Sequence, residues 1–210
     1  MTDVVVPAHN EADTIGDVVV AIAAAPSVSA VIVVADKCTD DTVAVAQAAG
    51  ASVVVSIESG NKGSAMAAGL ELVTTTDVLF VDGDLVGLQW QHVEGLLRAE
   101  PAGGQVAGLR DEPYAWGQRN LPPITGERRL PADLARSVDL AGSGYRAETL
   151  LNAAVGRARL PHSNYVLVGV KNPTRITRAP VSWLTMWGDL ALIALLNLPG
   201  LYGYIAHPDG

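Results

Sequence analysis

Short apolar runs alternate with alanine-rich stretches along the first hundred residues of this chain. Each apolar run is rich in β-branched residues and ends in a polar turn, which is typical of strands buried on both faces of a sheet. The predicted strands are Val4–Pro7, Ala30–Ala35, Ser52–Ser56 and Val78–Val81. The stretches between them have the apolar spacing of helices. These predicted helices are Thr14–Ala25, Asp41–Ala49 and Lys62–Thr74. The alternation predicts repeated βα units and a mostly parallel central sheet flanked by helices.

The second half of the chain has a different pattern. Residues Glu100–Pro123 are rich in glycine and proline, so loops and edge strands are expected there. The other predicted elements of this half, and the helix just before it, are helices at Gln89–Ala99, Asp133–Val138 and Tyr145–Arg157 and a strand at Tyr165–Val170. With no linker or internal repeat between the halves, we predict one domain over residues 1–210.

An apolar segment, Trp183–Ile205, lies near the end of the chain and is interrupted by Asp189, Asn197 and Pro199. A membrane-spanning helix needs about 20 mostly apolar residues in a row, which this segment does not supply. This segment has three interpretations: a buried closing helix, a homodimer interface, or a helix that lies on a membrane surface. No positive leader or hydrophobic signal segment precedes the first strand, so a cytoplasmic protein, peripheral to a membrane at most, is expected.

Composition narrows the class of protein. The chain has 210 residues, of which 49% are hydrophobic, and a net charge of -8. Such a chain buries enough apolar surface to fold, so disorder is excluded. An acidic protein lacks the clustered cations that a general nucleic-acid binder needs. Cys38 is the only cysteine, which excludes an intrachain disulfide framework and a multi-cysteine zinc site.

The charge is divided unevenly along the chain. Residues 1–97 hold two basic and thirteen acidic side chains, whereas residues 98–210 hold twelve basic and nine acidic ones. An acidic half is suited to a divalent cation, and a basic half to an anionic partner, although uneven surface charge is an equal alternative.

The strongest chemical signal is the sequence Asp82-Gly83-Asp84, which directly follows the strand predicted at Val78–Val81. Two carboxylates separated by one residue at a strand end can both face one cleft, and Gly83 permits close backbone approach. Paired carboxylates are suited to Mg²⁺ or Mn²⁺ bridging phosphates. A simple Asp-Gly turn is the alternative interpretation.

Three further polar turns lie at the same predicted edge of the sheet. Carboxylates at strand ends accept hydrogen bonds from a base or a ribose, which is the role predicted for Glu11 and Asp36. His9 is predicted to be a structural histidine of its turn and not a catalyst, because its neighbours indicate a nucleotide-lining segment. Lys62, in the glycine-rich turn Ser59–Ser64 before a helix, can reach a diphosphate.

The order of four motifs resembles the family 2 glycosyltransferases, which have the GT-A fold. The motifs are Val-Pro-Ala-His-Asn-Glu, Val-Val-Ala-Asp-Lys-Cys-Thr-Asp-Asp-Thr, Gly-Asn-Lys-Gly-Ser-Ala and Asp-Gly-Asp, all within residues 4–84. The resemblance implies a single Rossmann-like α/β domain that binds a nucleotide sugar. The residues implied to bind the nucleotide sugar are Pro7, His9, Glu11, Asp36, Lys62, Asp82 and Gly83. Asp84 and Asp82 are implied to hold Mg²⁺ or Mn²⁺.

The acceptor side of the family is matched more loosely. Ile124–Arg128 is similar to a Ser/Thr-Gly-x-Arg segment of polyprenyl-phosphate and phosphoglycerate glycosyltransferases, which implies acceptor contacts at Thr125, Gly126, Arg128 and Arg146. By the same resemblance Glu148, in Gly-Tyr-Arg-Ala-Glu, and Glu127 are the candidate catalytic bases. Asn172 stands where relatives often have a histidine that binds the metal.

We therefore predict a metal-dependent glycosyltransferase that moves a hexose from a UDP- or GDP-sugar to an acceptor hydroxyl. Inversion of configuration is usual in the family, and retention, as in a related class, is the alternative. The arginines of the basic half favour a phosphorylated or lipid-phosphate acceptor. Residues 1–97 are predicted to bind the donor and residues 98–210 the acceptor. A nucleotidyltransferase and a non-catalytic nucleotide-sugar binder remain as alternatives.

Overall fold

Strands and helices alternate along residues 1–111 and 122–172, which are the residues that the structure, a computed structural model, describes. The strands are β1 (Thr2–Ala8), β2 (Val28–Asp36), β3 (Val53–Ile57), β4 (Asp77–Phe80), β5 (Gln105–Arg110), β6 (Arg128–Pro131) and β7 (His162–Leu167). The α-helices are α1 (Ile15–Ala23), α2 (Thr42–Ala48), α3 (Lys62–Leu70), α4 (Trp90–Arg98), α5 (Ala132–Arg136) and α6 (Ala147–Ala158). A short 3₁₀-helix, Gly144–Arg146, leads directly into α6.

The strands form one sheet in the order β3-β2-β1-β4-β6-β5-β7. Strands β1 to β4 are parallel to their neighbours within that group, and β5 is parallel to β7. Only β6, among the described strands, runs against both of its neighbours. The carboxyl ends of β1, β2 and β4 therefore meet at one edge of the sheet, which is where ligands bind in open α/β sheets.

Helices cover both faces of the sheet. Val4 and Val6 of β1 belong to an apolar cluster with α1, whereas Val5, on the opposite face, packs with Met66 and Leu70 of α3. This alternation follows from the two-residue period of a strand. Because both faces are covered, β1 is apolar throughout its centre. The prediction of strands buried on both faces is confirmed for β1, β2 and β4, whereas β3, at the edge of the sheet, has no fully buried residue.

The prediction for Glu100–Pro123 needs a correction where the structure describes that segment. It contains β5, a strand buried along its whole length between β6 and β7, and not an edge strand. Gly104 lies so close to Pro161 that a Cβ atom would be 2.1 Å from the Pro161 carbonyl oxygen. Gly104 is therefore a site of close packing beside β5, whereas Gly103, with a φ of +71° and open space around it, lies in a turn as predicted.

Strand β6 is absent from the sequence-based prediction because its Arg-Arg-Leu-Pro sequence lacks an apolar pattern. The last described strand, β7, begins three residues earlier than the predicted Tyr165–Val170. The apolar segment Trp183–Ile205 lies outside the described residues. Within the described part of the chain, no helix has both the length and the apolarity that crossing a membrane would require.

Candidate active site

An open cleft of about 390 Å³ lies at the carboxyl ends of β1, β2 and β4. The predicted site residues that line this cleft are Pro7, His9, Glu11, Asp36, Lys62, Asp82, Gly83, Asp84 and Glu148. The residues implied to bind the donor, to hold the metal and to take the acceptor proton thus line the same cleft. They come from both halves of the chain. Among the described residues, the predicted site residues outside this lining are Thr125, Gly126, Glu127, Arg128 and Arg146.

Lys62 joins two carboxylates across the cleft. Its Nζ lies 2.7 Å from Asp82 Oδ1 and 2.8 Å from Glu148 Oε1. Burial by itself would lower the pKa of the ammonium group, but attraction to Asp82 and Glu148 outweighs it and raises the pKa of Lys62 above its usual range. Lys62 is therefore a permanent cation that connects β4 with α6.

Glu148 lies in the first turn of α6, where a negative charge is favoured by the helix dipole. The residue is 3% exposed, and its Oε1 accepts the hydrogen bond from Lys62. Its second oxygen, Oε2, is buried and has no hydrogen-bond partner among the described residues. A buried carboxylate oxygen in a cleft wall can accept a hydrogen bond from a ligand hydroxyl.

Asp84 and Asn172 form a hydrogen-bonded pair in the same cleft as Asp82. The Asn172 side-chain amide donates to Asp84 Oδ1 at 2.7 Å, and both residues line the cleft. Since the amide can turn to present its oxygen, Asp84, Asn172 and Asp82 form a set of oxygen donors. Mg²⁺ is typically held by one or two carboxylates while phosphates and water complete its coordination. The donor set therefore fits such a cation. No three His, Cys, Asp or Glu side chains in the described part of the chain are arranged so that they alone could hold a metal ion.

Two glycines allow the Asp-Gly-Asp turn to fit its surroundings. A Cβ atom on Gly126 would lie 2.1 Å from Asp82 Oδ1, so the carboxylate rests directly on the backbone of the loop before β6. Gly83 packs against Ile15 and Ala8, with its Cβ position 3.2 Å from Ile15 Cδ1. The predicted acceptor residue Gly126 is therefore the support on which Asp82 lies.

Asp36 lies at the end of β2 and anchors the turn before α3. Its carboxylate accepts hydrogen bonds from Ser59 Oγ at 2.6 Å, Gly60 N at 2.8 Å and Asn61 N at 2.7 Å. Burial opposes ionisation, but these three donors outweigh it and hold the pKa of Asp36 below its ordinary value. Asp36 is thus a structural anion in the cleft wall as well as a predicted nucleotide contact.

The turn after β1 is connected to the turn after β2. His9 Nδ1 is 2.7 Å from the backbone oxygen of Asp36 and must donate to it, because a carbonyl only accepts. In the neutral ring the exposed Nε2 is then an acceptor. The Glu11 backbone N–H donates to Thr42 Oγ1 at 2.8 Å, which fixes the entry into α1. Pro7, the last residue but one of β1, completes this wall.

Behind the cleft, Glu127 is buried in a polar cluster. Its Oε2 is 3.1 Å from Arg110 Nη1 and accepts a hydrogen bond from the Thr125 hydroxyl. Burial raises the pKa of Glu127; Arg110 opposes this rise, and the nearby charge of Asp82 adds to it. Glu127 Oε1 has no hydrogen-bond partner among the described residues.

Arg128 is also completely buried. Its guanidinium donates to Thr125 O at 2.7 Å, Asn152 Oδ1 at 2.9 Å and Glu148 O at 3.2 Å. These contacts join the loop before β6 to the first turn of α6. Arg146 is half-buried and donates to Ser143 O at 3.0 Å, beside the cleft-lining Gly144.

Sequence reasoning gave no role to Asn61 or Gly144, both of which line the cleft. Asn61 is the N-cap residue of α3. An asparagine directly before a predicted helix is a typical N-cap, so the sequence did carry this signal. Gly144 has a φ of +59°, a conformation that favours glycine, but its position in the cleft follows only from the packing of α6.

Solved structures with the same fold cover 94% of this chain. A mycobacterial protein of 25% identity matches with a TM-score of 0.75 over 74% of its own length. Glucosyl-3-phosphoglycerate synthase from Mycobacterium tuberculosis, solved with Mn²⁺, UDP-glucose and glycerol 3-phosphate, matches at 24% identity with a TM-score of 0.75 over 79% of its chain. The same synthase with Mg²⁺ and UDP matches at 23% identity with a TM-score of 0.76 over 79% of its chain. These matches confirm the predicted α/β fold class.

Family membership rests on the sequence. No curated protein matches the chain significantly. The family model described as "Glycosyl transferase family 2" matches residues 3–130, which is more than half of the chain and includes all four motifs that predicted the resemblance. This match favours glycosyl transfer over the nucleotidyltransferase alternative, and the chain belongs to glycosyl transferase family 2.

Proposed function

We propose that this protein transfers a hexose from a nucleotide-diphosphate sugar, either a UDP- or a GDP-sugar, to a hydroxyl of a phosphorylated acceptor, with Mg²⁺ or Mn²⁺ as cofactor. UDP-glucose is the first donor to test, because the synthase with a similar fold was solved with UDP-glucose, Mn²⁺ and glycerol 3-phosphate. The observation that carries the proposal is the Lys62 bridge between Asp82 and Glu148, in the cleft that Asp84 also lines.

On the donor side, Asp84, Asp82 and Asn172 would hold the cation. When bound, such a cation neutralises the charge that develops on a diphosphate leaving group. Lys62 adds a second positive charge at the same place, fixed by its contact with Asp82 at 2.7 Å. The nucleoside would lie along Pro7, His9, Glu11, Asp36 and Gly83, all of which line the cleft.

On the acceptor side, Glu148 is the base that the geometry favours. Lys62 fixes Oε1, and Oε2, which has no hydrogen-bond partner among the described residues, would take the proton of an acceptor hydroxyl. Glu127, the other candidate base, is fully buried beside Arg110 and does not line the cleft. We therefore propose that Glu127 holds Thr125 in place and that Glu148 takes the acceptor proton.

The remaining acceptor residues lie outside the cleft lining and would support it from behind or beside it. Gly126 carries Asp82, and Arg128 would hold the Thr125–Gly126 loop against α6 through its buried hydrogen bonds. Arg146 is the half-buried cation beside Gly144 and is our candidate for the acceptor phosphate. Residues 1–97 would then supply the donor side, apart from Asn172, and residues 98–210 the acceptor side of a single domain.

We extend the proposal to the surroundings of the enzyme. A nucleotide-sugar donor is a cytoplasmic metabolite class, and a cytoplasmic location is proposed. Trp183–Ile205 would contact a second copy of the chain or a membrane surface that carries a lipid-phosphate acceptor. The membrane part of this proposal is tested by sedimenting vesicles with the full chain and with a variant that lacks residues 183–205. The full chain should sediment with the vesicles, and the shortened variant should remain in solution.

The function is tested by transfer assays with UDP-glucose and GDP-mannose, each with Mn²⁺ or Mg²⁺, against 3-phosphoglycerate, glycerol 3-phosphate and a polyprenyl phosphate. We expect turnover with one donor and at least one phosphorylated acceptor, and none with EDTA. Nucleotide binding without turnover on the whole panel would instead support a non-catalytic binder.

The role of Glu148 is tested by Glu148→Gln. Loss of a general base is expected to lower kcat by roughly 10²- to 10⁴-fold, while the affinity for the nucleotide changes little. Glu71→Gln, at the exposed far end of α3, is the matched control and is expected to leave kcat unchanged. The anomeric configuration of the product, measured by proton NMR, adds a second readout, since a retained configuration would contradict a role for Glu148 as the base of an inverting transfer.

A further inference from the structure

Asn61 connects two parts of the cleft that are far apart in the sequence. Its backbone N–H donates to Asp36 Oδ2 at 2.7 Å, at the predicted nucleotide end. Its side-chain Oδ1 accepts from the backbone N–H of Gly144 at 2.9 Å, 83 residues away, and from Ser64 N at 3.3 Å. One residue thus contacts the anchor of the donor-side turn, the first turn of α3 and the segment that leads into α6.

The two segments that Asn61 joins are in direct contact. A Cβ atom on Gly63 would lie 2.1 Å from Ser143 Oγ, so only glycine permits this approach. The backbone N–H of Gly142 donates to Ser64 Oγ at 3.1 Å beside it. The start of α3 therefore packs directly against residues 142–144, with two serine side chains at the contact.

The same contact region holds Glu148. Gly144 begins the 3₁₀-helix that continues into α6, and Glu148 follows four residues later. Lys62, the residue after Asn61, binds the Glu148 carboxylate at 2.8 Å. Asn61 thus fixes the backbone before α6 while Lys62 fixes the carboxylate within it.

We propose that Asn61 is a positioning residue for Glu148, which it acts on through the backbone of Gly144. The inference rests on the proposed function, in which Glu148 takes the acceptor proton. Asn61 also ties this position to Asp36, so that the donor-side turn and the start of α6 move as one unit. A carboxylate that must meet a hydroxyl within hydrogen-bond reach is sensitive to displacements of less than 1 Å.

Three substitutions separate helix capping from the contact with Gly144. Asn61→Ser keeps an N-cap side chain for α3, but its shorter hydroxyl does not reach both N–H groups. Asn61→Asp keeps an oxygen at the position of Oδ1 and should preserve both contacts. Asn61→Ala removes both. A positioning role predicts that Asn61→Asp behaves like the wild type and that Asn61→Ser behaves like Asn61→Ala in catalysis.

The first measurement is hydrogen exchange of the full-length chain, without any ligand and then with UDP and Mn²⁺. We expect peptides covering residues 144–150 to exchange roughly two- to tenfold faster in Asn61→Ser than in the wild type or Asn61→Asp, the range of one lost hydrogen bond. In the wild type, UDP and Mn²⁺ should slow exchange in these peptides. Equal exchange of these peptides in all four proteins would overturn the inference, and this result does not depend on turnover.

The second measurement is steady-state kinetics on whichever donor and acceptor the wild type uses. Asn61→Ser is expected to lower kcat by about tenfold, with KM for the donor within a factor of two, and Asn61→Asp to restore it. An unchanged kcat in Asn61→Ser, or an equal loss in Asn61→Asp, would contradict the positioning role. If the wild type itself shows no turnover, the proposed function fails, while the exchange experiment still decides whether Asn61 holds Gly144.

Discussion

At the scale of single residues, the site consists of carboxylates whose partners determine what each can do. Asp36 is 3% exposed and accepts three hydrogen bonds from the turn before α3. Asp82 and Glu148 share one lysine, and Asp84 contacts an amide. The sequence identifies these side chains but not their partners, because each partner comes from another turn or from the other half of the chain.

The Asp36 contacts predict a dependence of stability on pH. Its folded-state pKa is lowered, so the stabilisation is present above the unfolded value of about 3.8 and is lost as the pH falls through the folded pKa. Asp36→Asn places an amide N–H₂ against N–H and O–H donors and should cost about 1.5–3 kcal/mol at pH 7. Urea denaturation at pH 7 and at about pH 2.5, well below the unfolded value, should show a smaller loss on acidification in the variant than in the wild type.

The control for that measurement is Asp133→Asn, whose side chain is 99% exposed. It should have nearly wild-type stability at pH 7 and a wild-type response to acid. If Asp36→Asn and the wild type lose equal stability between the two pH values, the carboxylate does not stabilise the turn in its ionised form.

At the scale of elements, the antiparallel strand β6 brings the acceptor-side loop to the metal-side turn. Strand β6 pairs with β4, so the residues before β6 lie next to the residues that follow β4. Gly126 thereby comes to lie against Asp82, 44 positions earlier in the chain. The Thr-Gly-Glu-Arg segment is therefore at once an acceptor candidate and a support for the Asp-Gly-Asp turn.

Gly126→Ala tests this support. The new Cβ would lie 2.1 Å from Asp82 Oδ1, so the carboxylate must move and its contact with Lys62 must weaken. We expect a stability loss of about 1–3 kcal/mol from overpacking and a fall of roughly tenfold in the Mn²⁺-dependent affinity for UDP, measured by calorimetry, equivalent to about 1.4 kcal/mol.

The matched control is Gly16→Ala in α1, where the nearest atom to a new Cβ is the side-chain Val45 Cγ1 at 3.1 Å. Its affinity for UDP should equal that of the wild type. Unchanged UDP affinity in Gly126→Ala would show that the loop can move away without disturbing Asp82.

At the scale of the whole molecule, the cleft is built from both halves of the chain. The acidic first half contributes Asp82 and Asp84, and Glu148 comes from the basic second half, joined to the first by Lys62. The net charge of -8 is therefore a sum over two halves with different chemistry. A cation and an anionic nucleotide would bind together in this cleft, because the cation neutralises the diphosphate and the diphosphate oxygens complete the coordination of the cation.

Joint binding predicts a joint effect on thermal stability. At concentrations about 100-fold above Kd, a ligand adds about 2.7 kcal/mol of stability, which for a chain of this size raises Tm by roughly 5–10 °C. UDP with Mn²⁺ should produce this shift, and neither alone should. Asp84→Asn should abolish it, whereas Asp41→Asn, an exposed control at the start of α2, should retain it. A shift from UDP alone that survives in Asp84→Asn would contradict the metal assignment.

The sequence by itself determined the parallel strands β1 to β4, the helices between them and the residues that follow each strand. Burial on both faces leaves a continuous apolar run, and a polar turn marks each strand end, so this information is local. The family match over residues 3–130 depends on these same turns.

Only the tertiary structure decided how the second half completes the site. The direction of β6, the approach of Gly126 to Asp82 and the bridge from Lys62 to Glu148 each join residues far apart in the chain. Such contacts leave no periodic signal, because they depend on which surfaces pack together once the sheet has formed and not on the pattern within any one segment.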